Sequence, residues 1–284
     1  MYMTRILQAA VLSLSVVAGQ AGVITTTANG ANAADIQASV DAFRAALGGV
    51  NNGVNAFAGG TGRREVNWDA VPNGFSAPNA LPGGFFNQNS QRGLRMTPGA
   101  GGSLMVSDNA AGGNGAGVEF ENLNVLYPRF FTTFSQQKLF GTLGTNTYDL
   151  DFFVPLNGNA LPGSQIATVS GFGIVFTNVA LAGTQIQAFD INNVLLATLA
   201  APIRAEGLSF ASIRVDGATN RIARVRVTQG SGGLGPNDTA QFNAVAADDF
   251  IYGEPLAAAA IPEPATCALM AGGLLALAAL RRRR

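Results

Sequence analysis

The chain has 284 residues, many glycines and no histidine, and its only cysteine, Cys267, lies close to the C-terminus. The lack of histidine excludes a Ser-His-Asp triad, a Cys-His pair and histidine-ligated metal sites. The formal net charge is zero, but Arg5 and Arg281 to Arg284 place five of the 17 basic residues at the two ends. The part between the ends is therefore mildly acidic, which argues against a nucleic-acid binder.

The N-terminus has the order of a secretory signal peptide. Arg5 supplies a positive charge, the apolar run 6–18 follows, and small residues then offer cleavage sites of the A-x-A kind. Residues 19–21 (Gly-Gln-Ala) and 31–33 (Ala-Asn-Ala) both fit. We favour the later site, so the predicted signal peptide spans residues 1–33 and directs the chain to the export translocon.

A short helix and a linker rich in glycine and asparagine are predicted for residues 34–62. Apolar side chains recur there at helical spacing, and two glycines follow the last of them and end the helix. The apolar positions are Ile36, Val40, Phe43 and Leu47.

Residues 63–255 carry the pattern of short antiparallel strands separated by turns. Residues 148–152 alternate between polar and apolar side chains, and 170–179 are mostly apolar, as in a central strand. A hairpin turn is predicted at Asn192-Asn193, and a last strand at 245–252. We predict an all-β fold, an antiparallel β-sandwich that is jelly-roll-like.

The C-terminal tail, residues 256–284, has three parts. A Pro-Glu-Pro motif at 262–264 precedes the apolar run 265–280, and four arginines end the chain. As a helix the run would be about 24 Å long, slightly short of the hydrocarbon core of a bilayer. We predict a transmembrane helix that leaves its basic end on the cytoplasmic side. That end consists of Arg281, Arg282, Arg283 and Arg284.

This tail resembles the PEP-CTERM sorting signal in Pro262, Glu263 and Pro264, in its short apolar span and in its basic end. The resemblance implies recognition by an exosortase, removal of the tail, and release of the body or its transfer to another anchor. The expected location is transiently the inner membrane, then the cell surface or the extracellular space. The body is also similar to exported domains found upstream of such tails, which implies no activity; the similar segments are 63–69, 85–87, 171–173 and 248–255.

One candidate site is an acidic pair on a strand. Asp149 and Asp151 point to the same face, within reach of a glycosidase carboxylate pair. The same alternation is typical of an ordinary solvated face. A carboxylate-dependent polysaccharide hydrolase is therefore kept as the alternative function, while the main interpretation is that the protein is not an enzyme and has no catalytic residue.

A second candidate is a structural calcium site. The last strand, with its two adjacent aspartates, is similar to the last strand of carbohydrate-binding jelly rolls. That resemblance implies a calcium ligand at Asp249, with Asp69 as the second acid; a capped strand end is the other interpretation. Calcium prefers several oxygen ligands. Because neighbouring residues of a strand face opposite sides, Asp248 and Asp249 are not expected to act as one pair.

The third candidate is a glycan-binding face. Pairing the strands on either side of Asp216-Gly217 puts Arg214, Arg224 and Arg226 on one face, where guanidinium groups could hold an acidic polysaccharide. A soluble outer face balanced by nearby acids gives the same pattern. We therefore expect a non-catalytic protein of the cell surface or extracellular matrix, with exopolysaccharide as its candidate ligand and no cofactor except the candidate calcium.

Overall fold

A computed structural model of the chain describes residues 22–55, 60–155, 165–216, 222–239 and 244–258. Within these ranges strands dominate. The strands are β1 (Val23–Gly30), β2 (Arg63–Val66), β3 (Leu94–Pro98), β4 (Ser103–Val106), β5 (Phe140–Leu143), β6 (Thr147–Phe152), β7 (Ala167–Thr168), β8 (Gly171–Val179), β9 (Gln185–Phe189), β10 (Leu195–Ala200), β11 (Arg204–Val215), β12 (Arg224–Thr228), β13 (Ala246–Gly253) and β14 (Leu256–Ala257). The helices are α1 (Ala33–Ala46), α2 (Phe85–Gln88) and α3 (Tyr127–Phe130).

The strands form two large sheets, and the pairing is antiparallel throughout both. The first sheet has the order β1-β11-β8-β13-β5-β4, with β2 also paired to β13. The second sheet has the order β10-β9-β12-β6-β3, and a small third sheet pairs β14 with β7. The prediction is confirmed in that the described chain is mostly β and its sheets are antiparallel.

The two large sheets pack face to face around a hydrophobic core. Alternation along β6 buries Tyr148, Leu150 and Phe152 and leaves the residues between them partly exposed. Aromatic contacts cross between the sheets, because the Phe152 ring lies 6.5 Å from that of Phe172 and 5.4 Å from that of Tyr252. This packing makes the domain a β-sandwich.

Helix α1 packs on the outer face of the first sheet. Asn32 and Asp35 form a capping box at its start, which satisfies backbone N–H groups that lack partners within the helix. Because the helix lies on one face and the second sheet on the other, β8 is buried along all nine of its residues. The apolar positions predicted from the spacing pack with those of the sheet, namely Ile36, Val40, Phe43 and Leu47 with Val175, Leu208, Phe210 and Ile251.

Strand β1 lies in the part of the chain that the sequence assigned to the signal peptide. It pairs with β11 along its whole length, from Val23 opposite Val215 to Gly30 opposite Leu208. Cleavage after Ala33 would remove this strand and the residue that caps α1. The structure shows β1 and α1 packed with the first sheet, while the predicted boundaries at residues 33 and 63 stay predictions.

The predicted membrane segments lie outside the described residues. These are the signal-peptide core at 6–18 and the tail from residue 259 onward, with its motif at 262–264, its apolar run at 265–280 and its basic end. Across the described ranges, the structure contains no helix that is both long enough and apolar enough to cross a bilayer. The cleavable signal peptide and the transmembrane helix stay predictions.

Candidate functional site

The outer face of the second sheet carries two rows of polar and charged side chains. Because Leu150 and Val225 are buried in the core, the residues that alternate with them on β6 and β12 point outward. The strand register aligns these residues across four strands. One row is Arg95, Asp151, Arg224 and Phe189, and the other is Thr97, Asp149, Arg226 and Gln187.

Ion pairs hold the charged side chains of these rows in place. Arg226 donates from Nε and Nη2 to the two oxygens of Asp149, at 2.8 Å each, and Arg224 Nη1 donates to the same carboxylate at 3.1 Å. Arg95 Nη2 donates to Asp151 Oδ2 at 3.0 Å. The side chains of Arg95 and Arg226 stay 50% and 47% exposed. They therefore have donors that face solvent.

Aromatic rings support two of these arginines from below. The guanidinium carbon of Arg224 lies 4.0 Å from the ring centroid of Phe189, and that of Arg95 lies 4.7 Å from the ring of Phe153. Stacking of this kind favours one orientation of the planar guanidinium. The two groups are thus arranged before any ligand arrives.

Arg95, Asp151 and Arg224 line a cleft of about 490 Å³. The β9–β10 hairpin contributes one side of it, and its turn forms at Asn192-Asn193 as predicted. Asp190 Oδ1 accepts the N–H groups of Asn192 and Val194 and so holds this turn. Two exposed isoleucines, Ile166 and Ile191, add apolar surface to the lining.

The charge of Asp149 is stabilised by its arginine partners. Burial alone would raise the pKa of Asp149, but the hydrogen bonds and positive charges of Arg226 and Arg224 outweigh this effect. The pKa of Asp149 consequently lies below its usual value. Asp149, which the sequence analysis grouped with Asp151 as a candidate acidic pair, is therefore ionised at neutral pH and already bound by two arginines.

The structure separates Arg214 from the other two arginines of the predicted glycan-binding set. Strands β11 and β12 lie in different sheets, so the predicted pairing about Asp216-Gly217 is wrong. Each strand turns its apolar residues toward the shared core, and Arg214 and Arg224 therefore point out of opposite faces of the sandwich. Arg214 instead pairs with Asp216 at 3.3 Å.

The predicted calcium ligands hold different parts of one loop, residues 134–138. Asp69 Oδ1 accepts the backbone N–H groups of Gln137 and Lys138 at 3.0 Å each, whereas Asp249 accepts from Ser135 Oγ at 2.8 Å and from Arg44 at 3.4 Å. In the described part of the chain, no three His, Cys, Asp or Glu side chains gather as a metal site. A shared calcium ion stays a prediction, and it would need oxygen ligands beyond these two carboxylates.

Asp248 and Asp249 form a buried carboxyl pair, contrary to the expectation that they face opposite sides. The pairing of β13 with β8 shifts register between Ala247 and Phe250, and both carboxyl groups reach Ser135 Oγ, at 2.9 and 2.8 Å. Burial, followed by the neighbouring Asp249, raises the pKa of Asp248 well above its usual value. Burial likewise raises the pKa of Asp249.

Fold and cleft together define a class of protein, a two-sheet antiparallel β-sandwich with a charged cleft on one outer face.

Residues 260–284 match the PEP-CTERM protein-sorting motif, so the recognition based on Pro262, Glu263 and Pro264 is confirmed. The chain therefore carries the sorting signal of exported proteins that an exosortase directs to the cell surface or the extracellular space.

Comparisons of the whole chain with curated proteins and with solved structures do not identify the function of the domain. No curated protein matches it. Among solved structures, the enzymatically active domain of tailspike protein 4 from bacteriophage CBA120 is similar with a TM-score of 0.28 and 13% identity, over 62% of this chain and 21% of that chain. The chain thus spans about a fifth of that structure's length, and a similarity this weak carries no argument about fold or activity.

Proposed function

We propose that the protein is a non-catalytic module of the cell surface or extracellular matrix, and that it binds a polysaccharide in the cleft of the second sheet. The observation that carries this proposal is the row Arg95, Asp151 and Arg224, which lines that cleft. Arg95 is ion-paired with Asp151, and Arg224 with the neighbouring Asp149. Export and sorting by an exosortase bring the module to the compartment in which such polysaccharides are found.

Paired carboxylates and guanidinium groups suit the hydroxyl groups of a sugar. A carboxylate oxygen accepts from one hydroxyl while a guanidinium N–H donates to the next, so neighbouring hydroxyls can be bound together. The existing ion pairs and ring contacts fix these side chains, which lowers the entropy lost on binding. The apolar surface of Ile166 and Ile191 is available for the C–H face of a sugar ring.

The strand order supports the finer fold proposal, a jelly roll. From β5 to β13, leaving out the two-residue β7, successive strands lie in the first, second, first, second, second, first, second and first sheets. The resulting orders, β5-β13-β8-β11 and β6-β12-β9-β10, are those of two interleaved Greek keys. Helix α1 packs on the outer side of the first of these sheets, and the proposed cleft lies on the outer side of the second.

The state of Asp149 supports binding over hydrolysis. A glycosidase needs a protonated carboxylic acid, whose pKa is raised, on one side of the scissile bond and a second carboxylate on the other. Asp149 has a lowered pKa and is held by Arg226 and Arg224. Asp149 is therefore unsuited to the role of the acid in the alternative function, a carboxylate-dependent hydrolase.

Calorimetric titration of the mature protein with the exopolysaccharide of the producing bacterium tests the proposal. Arg224→Gln removes a guanidinium group from the cleft and should weaken binding about tenfold, or about 1.4 kcal/mol. The matched control is Arg214→Gln, which removes an ion-paired arginine from the opposite face and should leave affinity unchanged. Absence of wild-type binding, or an equal loss in both variants, contradicts the proposal; release of new reducing ends would instead favour the hydrolase.

A further inference from the structure

A second cavity, of about 220 Å³, lies between the turn that follows β2 and the helix α2. Its lining combines aromatic and polar groups, with the rings of Phe85 and Phe86 beside Asn67, Asn89 and Ser90. Arg92 completes this lining. Among the described residues, none lines both this cavity and the cleft of the second sheet.

The Arg92 side chain is fixed in the wall of this cavity. Its Nε donates to the backbone oxygen of Glu65 at 3.0 Å, and its Nη1 donates to the hydroxyl of Ser90. The guanidinium carbon lies 5.7 Å from the centroid of the Phe86 ring. These contacts use Nε and Nη1 and leave the N–H donors of Nη2 for a ligand.

The positive charge of Arg92 has no carboxylate partner within the described part of the chain. Two other buried or partly buried arginines do have one: Arg44 pairs with Glu65 at 2.8 Å, and Arg64 pairs with Glu254 at 2.7 Å. Burial lowers the pKa of Arg92; Tyr252 partly opposes this effect, and the nearby positive charge of Arg64 adds to it. A half-buried guanidinium without a counter-charge is unfavourable, so an anion bound beside it stabilises the fold.

We propose that this cavity binds a carboxylate group, that of an acidic sugar or of a free small organic acid. A guanidinium plane matches a carboxylate with two parallel N–H···O bonds, whereas the point charge of a lysine does not. The amide side chains of Asn67 and Asn89 can hydrogen-bond neighbouring hydroxyls. The volume is below that of pockets for drug-sized ligands, which suits one sugar ring or a smaller acid.

Titration of the mature protein with sodium D-glucuronate, sodium acetate and neutral D-glucose tests this proposal, with heat of binding and melting temperature as readouts. Glucuronate should bind saturably and raise the melting temperature at constant ionic strength, because it binds the folded state alone. Glucose, which lacks the carboxylate, should do neither. Acetate binding as strong as that of glucuronate would assign the site to free small acids, and stronger glucuronate binding would assign it to acidic sugars.

Variants of the lining decide whether the binding occurs in this cavity. Arg92→Gln should lower glucuronate affinity at least tenfold, and Arg92→Lys should recover only part of the loss. Asn89→Ala, at an exposed position, should cost about threefold without endangering the fold. Arg129→Gln, at an exposed arginine away from the cavity, is the control. Glucuronate binding that is equal for wild type, Arg92→Gln and Asn89→Ala, or equal for glucuronate and glucose, overturns the proposal.

Discussion

At the scale of single residues, the domain contains an ion pair that lies entirely in its interior. Arg64 and Glu254 are both fully buried, and Arg64 donates from Nε at 2.8 Å and from Nη2 at 2.7 Å to the two oxygens of Glu254. Asn52 donates to the same carboxylate at 2.8 Å. Removal of one partner would leave an uncompensated buried charge, so this contact links the segment before β2 to the end of β13.

Replacing Asp248 with asparagine should change how stability depends on pH. Because the folded-state pKa of Asp248 is raised above its usual 3.8, its contribution to the free energy of unfolding is full below that value and is lost as pH rises through the folded-state pKa. A difference of one between the folded-state and unfolded-state pKa corresponds to about 1.36 kcal/mol. Urea denaturation of the wild type should show stability falling from about pH 4 upward for this reason, and Asp248→Asn should reduce that fall.

The control for this experiment is an exposed aspartate whose pKa moves in the opposite direction. A hydrogen bond from Gln37, together with Arg44, lowers the pKa of Asp41. Asp41→Asn should therefore leave the decline toward higher pH in place. The same pH dependence in wild type and Asp248→Asn would show that the buried carboxyl pair does not titrate as described.

The alternation of polar and apolar residues along a strand predicted which side chains point outward. It did not predict which residues those side chains contact. It placed Asp149 and Asp151 on one face, and the structure agrees. It failed for Asp248 and Asp249, because the register shift that brings them together depends on the pairing of β13 with β8. No sequence pattern indicated a site at Arg92, because the residues around it come from a turn and a helix elsewhere in the sequence.

At the scale of elements, β1 is the strand that the sequence pattern missed. Its residues are mostly exposed, with three consecutive threonines, and it begins soon after the apolar run of the predicted signal peptide. β1 is held at the edge of the first sheet by backbone pairing with β11. Such pairing cannot be predicted from the alternation of residues within β1 alone.

The first residue of the exported protein should be Gly22, because cleavage after Ala21 preserves β1.

A variant that begins at Ala34 should lose the pairing with β11 and the cap of α1. At about 0.5–1.5 kcal/mol for each net hydrogen bond, its free energy of unfolding should drop by about 3 kcal/mol or more. N-terminal sequencing and guanidinium denaturation measure the two effects; an exported protein that starts at Ala34 and is fully stable would contradict both.

Element types were more predictable than element partners. The buried strand β8, the hairpin of β9 and β10 and the helix α1 follow from periods of apolar side chains that each element displays on its own. The error concerned β11 and β12, which are close in sequence but lie in different sheets. A turn-forming pair such as Asp216-Gly217 marks a change of direction and does not specify which sheet the chain enters next.

At the scale of the whole molecule, the sorting tail makes a sharp prediction. Transfer of each arginine into the bilayer centre costs about 2.5–3.5 kcal/mol, so Arg281 to Arg284 should stay in the cytoplasm and hold Glu263 at the outer surface. Replacing the four arginines by alanine, or Glu263→Gln, should trap the precursor in the inner membrane, whereas Cys267→Ser, within the apolar run, should be processed normally. Immunoblotting of membrane fractions reads the outcome, and extracellular peptides that span Leu280 and Arg281 would contradict it.

The pairing of β14 with β7 also sets a distance. Ala257 is the last residue in that pairing, and Pro262 of the sorting motif is five positions further on. An extended chain covers about 3.3–3.6 Å per residue, so the tether between the domain and its processing site is on the order of 17 Å at most. With the predicted transmembrane helix at 265–280, a domain that folds before processing should lie almost against the membrane and should limit the approach of the exosortase. Lengthening that tether should therefore accelerate release of the sandwich from the membrane.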